Sequence, residues 1–360
     1  TISDPGMSLC LGFPASAVEF SSHISGMERR GIKNTNLGGV MLTKAYRQFI
    51  GVITVLFLVI NTLFWSLFLY PVTLLKILFP VPIIRHFFTW VLKWIAHSWI
   101  FCNNMGMRLT REIRWDVKGT DDLSTDQWYL VIANHQSWTD IVVLQKIFHG
   151  KIPFLKFFLK KELIWVPVLG PAWWALDFPF MKRYSASFLE KNPHLKGKDI
   201  EITKKACAKF KNMPVSVMNF VEGTRFTPEK HRRQASPFRN LLKPKSGGIG
   251  FVFSTMGEQL TSVLNVTIAY PGGPYSFWEF LCGYVREILV EVDEIPVDEK
   301  LLGDYVNDPD HRESFQQWLN GLWREKDLTL DVMLQREGPR RKLVSRREAE
   351  KVLAESRNLN

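Results

Sequence analysis

A histidine stands five positions ahead of an aspartate in "NHQSWTD", residues 134–140, and again in "HLKGKD", residues 194–199. An imidazole whose one ring nitrogen donates to a carboxylate has its tautomer fixed and its other nitrogen free as a base. Such a positioned base accelerates proton removal by about 10² to 10⁴-fold. The spacing occurs twice, so context decides between the copies. His194 lies in a Pro- and Gly-containing basic loop with no strand before it, and reads as surface. His135 follows the apolar run "WYLVIA" and precedes "DIVVLQKIF", a strand-to-helix turn where a side chain can face a cleft rigidly. In a continuous helix five residues advance about 140° beyond one full turn, so the two side chains would diverge. The pair therefore requires His135 in the turn itself, with Asp140 reaching back from the helix's first turns.

A second chemistry-bearing stretch is "FVEGTR", residues 220–225, again closing a strand-like run. Gly223 lets the backbone turn tightly, and Arg225 offers a forked guanidinium to phosphate or carboxylate. Thr224 and backbone N–H groups add donors. Read without context, the same stretch is also an ordinary turn with a surface ion pair. Between these two stretches, residues 160–183 combine basic ends, Lys161 and Arg183, with a Trp-rich apolar middle. That pattern suits an acyl chain with anionic groups at its ends, or a core segment with charged caps. Ser137 reads as a helix-start residue and not as a nucleophile, since no G-x-S-x-G elbow is present.

The elements that must position these groups are an α/β domain. From about residue 115 the runs "YLVIA", "VSVMNFV", "VLNVTIAY" and "EILVEVDEI" alternate with helical stretches at 200–212 and 309–334. This predicts a mixed sheet flanked by helices, preceded by an N-terminal membrane-associated helical segment. In the last helix Phe315, Trp318, Leu319 and Leu322 form a face that packs onto the sheet.

Ahead of the domain, residues 49–70 hold 22 positions without a charge, enough to cross a hydrocarbon core of about 30 Å as a helix. Residues 72–107 are apolar but interrupted by Lys76, Arg85 and Lys93. From His86 onward, His86, Lys93, His97 and Asn104 fall on one stripe of a helix. This predicts a helix in the membrane interface, with a core helix of the domain as the alternative. Basic residues on both sides of the apolar run give no orientation. The organisation expected is a flexible N-terminal extension at 1–43, embedded or interfacial helices at 44–110, the α/β domain at 111–335 and a basic tail at 336–360. Met27 and Met41 are alternative starts. The tail carries eight Lys/Arg against four Glu through residue 357.

A net charge of +11 suits an anionic partner, and 13 tryptophans favour a lipid surface over nucleic acid. No RNA-reading motif or recognition helix supports a nucleic-acid binder. The four cysteines are scattered without a C-x-x-C pair, and no H-E-x-x-H occurs, so neither a disulfide framework nor a metal is expected.

Taken in order, "NHQSWTD", "KELIWVPVLG", "FMKR", "FVEGTR" and the proline of "IAYPGG" resemble the glycerophospholipid acyltransferase family over roughly residues 45 to 330. Within that family the wording is similar to a bacterial inner-membrane branch. The resemblance implies acyl transfer from acyl-CoA or acyl carrier protein to the free hydroxyl of a lysophospholipid such as 1-acylglycerol 3-phosphate. No cofactor is implied beyond that co-substrate, and the catalytic domain is expected to face the cytoplasm. The same resemblance makes His135 the base, Asp140 its orienting aspartate, and Glu222, Gly223, Thr224 and Arg225 the glycerophosphate-binding motif. Arg183 closes the intermediate block, Lys161 and Pro167 belong to the block before it, and Pro271 to the last. "FMKR" lacks the acidic residue that many members carry before the arginine, which leaves lysophosphatidylglycerol and lysocardiolipin open as acceptors. A non-catalytic lipid-binding protein on the same fold is the alternative of a different class.

Overall fold

The computed structural model describes residues 37–181, 213–305 and 307–335. In chain order the elements are helices Leu37–Leu78 (α1) and Pro82–Thr110 (α2), strands Arg114–Lys118 (β1) and Tyr129–Ala133 (β2), and helix Thr139–Phe148 (α3). Strands Leu155–Phe157 (β3) and Leu159–Lys160 (β4), helix Leu169–Ala175 (α4) and strand Phe180–Met181 (β5) follow. Then come strand Ser216–Phe220 (β6), helices Pro228–Gln234 (α5) and Gly247–Met256 (α6), and strand Ser262–Ala269 (β7). Helix Phe277–Leu281 (α7), strand Glu287–Pro296 (β8) and helix Pro309–Gln335 (α8) complete the order.

Six strands form one mixed sheet in the order β1-β8-β7-β2-β6-β3. Every pairing is parallel except β7 with β8. The central strands β2 and β7 are buried along their whole length, as expected where helices cover both faces. One face holds α6 and α8, with Ile249, Val252, Phe315, Leu319, Leu322 and Trp323 in its core. The other holds α3, with Val143, Leu144 and Ile147 beside Val131 and Val266. The short pair β4-β5 forms a separate two-stranded sheet. In α8 the expected apolar face meets the sheet, and Trp318 lies at its half-buried margin. The helix expected at 200–212 falls outside the described residues, as do Arg183 and the His194–Asp199 stretch.

The chain forms two units, Thr1–Tyr46 and Arg47–Asn360. In the first, the described residues 37–46 are helical. In the second, α1 follows the domain along most of its length. Gly51 abuts Cys282 and Trp278, and Phe57 covers Gly106 so closely that a Cβ there would lie 2.2 Å from the ring. Further along, Asn61 Nδ2 donates to Asn103 Oδ1 at 2.7 Å, and Lys76 pairs with Asp177 at 2.9 Å. The outward faces are apolar: Leu56, Ile60, Leu63 and Leu67 on α1, and Phe87, Trp90, Trp94 and Phe101 on α2, are exposed.

The polar stripe of α2 therefore points the other way from a water-facing stripe. His86 is exposed, but Lys93, His97 and Asn104 are half-buried against the protein. His149 Nε2 lies 3.0 Å from the His97 carbonyl, and the Lys93 ammonium lies 4.0 Å from the Met213 sulfur. Periodicity locates a stripe without saying which side it faces.

Candidate active site

Strands β2 and β6 run parallel with Ala133 opposite Phe220. Each strand continues two residues beyond that pair into a turn, which brings His135 and Glu222 to the same level. His135 lies in the turn and Asp140 in the first turn of α3, with Nδ1 to Oδ2 at 2.8 Å. A carboxylate only accepts, so Nδ1 carries the proton and Nε2 presents a lone pair. The same Oδ2 accepts the backbone N–H groups of Gln136 at 2.7 Å and Ser137 at 2.9 Å, which folds the turn around the aspartate. The imidazole stacks on Phe220 with centroids 3.9 Å apart and meets the edge of Trp138. It is 9% exposed, whereas Asp140 is fully buried.

Three further groups lock this turn. Tyr270 donates its hydroxyl to Asp140 Oδ1 at 2.6 Å. Burial, followed by the neighbouring Asp140 charge, pushes that phenol well above its ordinary range, so it remains a donor. The Asn134 amide brackets Ile268 of β7, accepting its N–H and donating to its carbonyl, each at 2.9 Å. The Ser137 hydroxyl donates to the Tyr275 carbonyl at 2.7 Å and accepts from the Thr139 N–H; it precedes the cap residue Trp138, so it ties the turn to Tyr275 and does not cap the helix.

Glu222 differs from its expected place against substrate. It is fully buried, and its two oxygens accept the backbone N–H groups of His135 at 2.9 Å and Leu242 at 3.0 Å. Both acceptor faces are thus engaged with backbone, which makes Glu222 a brace for the histidine turn. Beyond it Gly223 adopts φ +70°, a conformation that favours glycine. The turn then opens: Gly223 and Arg225 are exposed, and Arg225 lies over the Trp138 ring at 5.1 Å. The Phe226 N–H donates to the His135 carbonyl at 2.7 Å, tying this basic turn to the histidine. Lys230 donates to Thr224 Oγ1 at 2.8 Å and to the Arg225 carbonyl at 3.0 Å, and the Lys245 side chain borders Gly223.

Lys161 is exposed at the head of the 3₁₀ turn Lys161–Trp165, and no hydrogen bond or ion pair among the described residues links it to the His135 turn. Pro271 is half-buried and directly follows Tyr270. Sequence reasoning missed Tyr270, Asn134, Phe220, Lys230 and Lys245. Tyr270 alone had a signal, as the polar-tipped end of an apolar strand run. An apolar pocket opens between α1, α2 and α4, lined by Trp65, Leu69, Trp99, Phe154, Trp173 and Phe178 among others. No cluster of three or more His, Cys, Asp or Glu suited to a metal occurs among the described residues.

Residues 114–268, from β1 nearly to the end of β7, match the model of the Acyltransferase family. The matched segment holds the histidine turn and the strands on either side of it, and covers less than half of the chain. Individual relatives narrow the comparison. Over 240 residues the chain is 26% identical to a 2-acyl-1-lysophosphatidylinositol acyltransferase of Saccharomyces cerevisiae, covering 56% of this chain and 60% of that protein. It is 23% identical over 223 residues to the 1-acyl-sn-glycerol-3-phosphate acyltransferase epsilon of Mus musculus, covering 56% of each. The human gamma enzyme of that name is 25% identical over 203 residues, covering 52% of this chain and 48% of that one. The chain thus spans less than two thirds of the relatives it matches. Among solved structures, the 1-acyl-sn-glycerophosphate acyltransferase PlsC from Thermotoga maritima aligns with a TM-score of 0.46 and 18% identity, covering 81% of this chain and 100% of that one.

Proposed function

We propose that this protein is a membrane-bound O-acyltransferase that moves a fatty acyl group from acyl-CoA or acyl carrier protein to the free hydroxyl of a lysophospholipid such as 1-acylglycerol 3-phosphate. The observation that carries the reading is His135, held at Nδ1 by a buried, fully hydrogen-bonded Asp140 with Nε2 left free, beside the basic turn at Arg225. Nε2 takes the hydroxyl proton as the oxygen attacks the thioester carbonyl. The tetrahedral intermediate then expels the thiolate, which receives that proton from the imidazolium and leaves as a thiol. The thioester already supplies a good leaving group, so no covalent acyl-enzyme is needed.

Arg225, with Lys230 and Lys245 close behind it, is the anchor for the acceptor phosphate, and the Trp-lined cavity holds hydrocarbon. The apolar outer faces of α1 and α2 bind the bilayer. Helix α1 is long and apolar enough to cross it. Its contacts with the domain, from Gly51 to Lys76, favour a helix sunk along one leaflet, since a crossing helix cannot keep a water-facing domain at its side throughout. The bacterial inner membrane and a cytoplasm-facing site, implied by the sequence resemblance, belong to this proposal, and fractionation with protease protection decides them.

The test is incubation of the purified protein with acyl-CoA and acyl carrier protein donors and a panel of lysophospholipids carrying phosphate, glycerol, inositol or cardiolipin headgroups, read by lipid mass spectrometry. Diacylated product that disappears in His135→Ala is expected. No product from any pair, by a folded protein that binds the vesicles, rejects the enzyme reading in favour of lipid binding.

A further inference from the structure

Among residues 134–140, the turn that carries the dyad, Trp138 alone is exposed, and the reaction scheme gives it no part. A single exposed aromatic is ordinary on a protein surface and by itself carries no meaning. What sets this one apart is its two neighbours. The indole stands perpendicular to the His135 imidazole with ring centroids 6.5 Å apart, and the Arg225 guanidinium carbon lies 5.1 Å from its centre. One ring thus borders both the base and the cation read as the phosphate anchor.

Trp138 and Arg225 come from the turns after two different strands, and both backbones are fixed. Trp138 sits between Ser137, whose hydroxyl donates to the Tyr275 carbonyl at 2.7 Å, and Thr139, which is fully buried at the start of α3. The Arg225 carbonyl accepts from the Lys230 ammonium at 3.0 Å, and the next amide, that of Phe226, donates to the His135 carbonyl at 2.7 Å. The Arg225 side chain is held differently. Its guanidinium makes no hydrogen bond or ion pair among the described residues, so the Trp138 ring is the contact that selects its position. A loose arginine gives up rotamer freedom when it clasps a phosphate, whereas one already stacked on an aromatic face keeps its planar fork preorganised and its in-plane N–H donors open. At an exposed site such a platform is worth about two- to fivefold in affinity.

We propose that Trp138 is a positioning residue for acceptor binding: its indole face holds the Arg225 guanidinium beside His135, so affinity for the acceptor phosphate depends on an aromatic ring at position 138. This rests on the proposed function and deepens it, by tying the anion anchor to the catalytic turn itself.

The test compares Trp138→Phe, which keeps a ring, with Trp138→Leu, which keeps apolar bulk without one, each alone and combined with Arg225→Gln. Initial rates are measured with 1-acylglycerol 3-phosphate as the varied acceptor. Trp138→Leu is expected to raise the acceptor KM about two- to fivefold with kcat held, and Trp138→Phe to raise it less. In the Arg225→Gln background the leucine is expected to add nothing, because the cation it would release is gone. A folded Trp138→Leu with the wild-type KM, or the same rise with and without Arg225, overturns the proposal. A loss confined to kcat also overturns it, since the ring then serves His135. Should Trp138→Leu fail to fold, Trp138→Gln is the second ringless variant, with the same expectations. If the wild type transfers no acyl group, the proposed function falls by itself. Flotation with phosphatidylcholine vesicles, with and without 1-acylglycerol 3-phosphate, then reads acceptor affinity without chemistry. The same joint dependence on the ring and Arg225 is expected there, and its absence overturns the proposal. Weaker binding of Trp138→Leu to vesicles free of acceptor makes the ring a bilayer anchor and overturns it as well.

Discussion

The Tyr270 hydroxyl sits 2.6 Å from Oδ1 of Asp140, on the oxygen opposite the one that holds His135. One carboxylate thus joins the turn after β2 to the end of β7, across 130 positions of sequence. Tyr270→Phe deletes one bond to a buried anion and little else. A hydrogen bond to a charged group is worth about 1.5–3 kcal/mol, so kcat is expected to fall about 10- to 100-fold while KM for the acceptor holds. Steady-state kinetics checks this, and an unchanged kcat removes Tyr270 from the support of the base.

Asp140→Asn keeps the shape of the carboxylate but offers an amide that can donate as well as accept. The Gln136 and Ser137 N–H groups still require an acceptor at Oδ2. The amide nitrogen must then take the Tyr270 side, where the phenol has to turn from donor to acceptor. Loss of charge opposite the imidazolium is expected to lower kcat by about 10² to 10⁴-fold with the circular dichroism spectrum preserved. A variant within threefold of wild type contradicts the dyad.

Arg225 is exposed over Trp138 and has no share in the buried network. Arg225→Gln is expected to raise KM for phosphate-bearing acceptors about tenfold, and to leave thermal stability within about 0.5 kcal/mol. The wild-type KM rises with salt because the contact is ionic, and the variant loses much of that dependence. Equal salt dependence in both proteins assigns the phosphate elsewhere.

Arg111, just past the end of α2, is 8% exposed, and none of its three guanidinium nitrogens has a hydrogen-bond partner among the described residues. Its guanidinium lies over the Phe280 ring at 4.6 Å, and burial lowers its pKa to about 10. Replacing a buried charge that lacks hydrogen bonds with an apolar chain of similar length removes a desolvation cost. Arg111→Met is therefore expected to stabilise the protein by about 1–3 kcal/mol. A lower unfolding temperature shows that the guanidinium gains more from its surroundings than the Phe280 contact.

Much of the scaffold was legible because its inner strands are continuous apolar runs. "YLVIA", "VSVMNFV", "VLNVTIAY" and the whole of "EILVEVDEI" supplied strands of the main sheet, and the 309–334 helix extended by one residue, to Gln335. The edge strands β1 and β3 were not legible, since "RWDVK" and "LKF" are too short and mixed to show a period. The candidate site divided the same way. His135 and Asp140 are local, so turn geometry could be argued from spacing. Tyr270 and Glu222 reach the turn from other strands, and which residues meet it depends on strand order. For Glu222 residue type misled: a carboxylate beside glycine and arginine suggested a ligand contact, whereas register buried it.

That register, Ala133 opposite Phe220, reaches beyond the fold. Sliding β6 along β2 by a single position would carry Glu222 to the far side of the sheet and leave the His135 amide without its acceptor. A misaligned but compact chain would therefore be silent, so turnover per molecule would count correctly threaded chains as well as chemical competence.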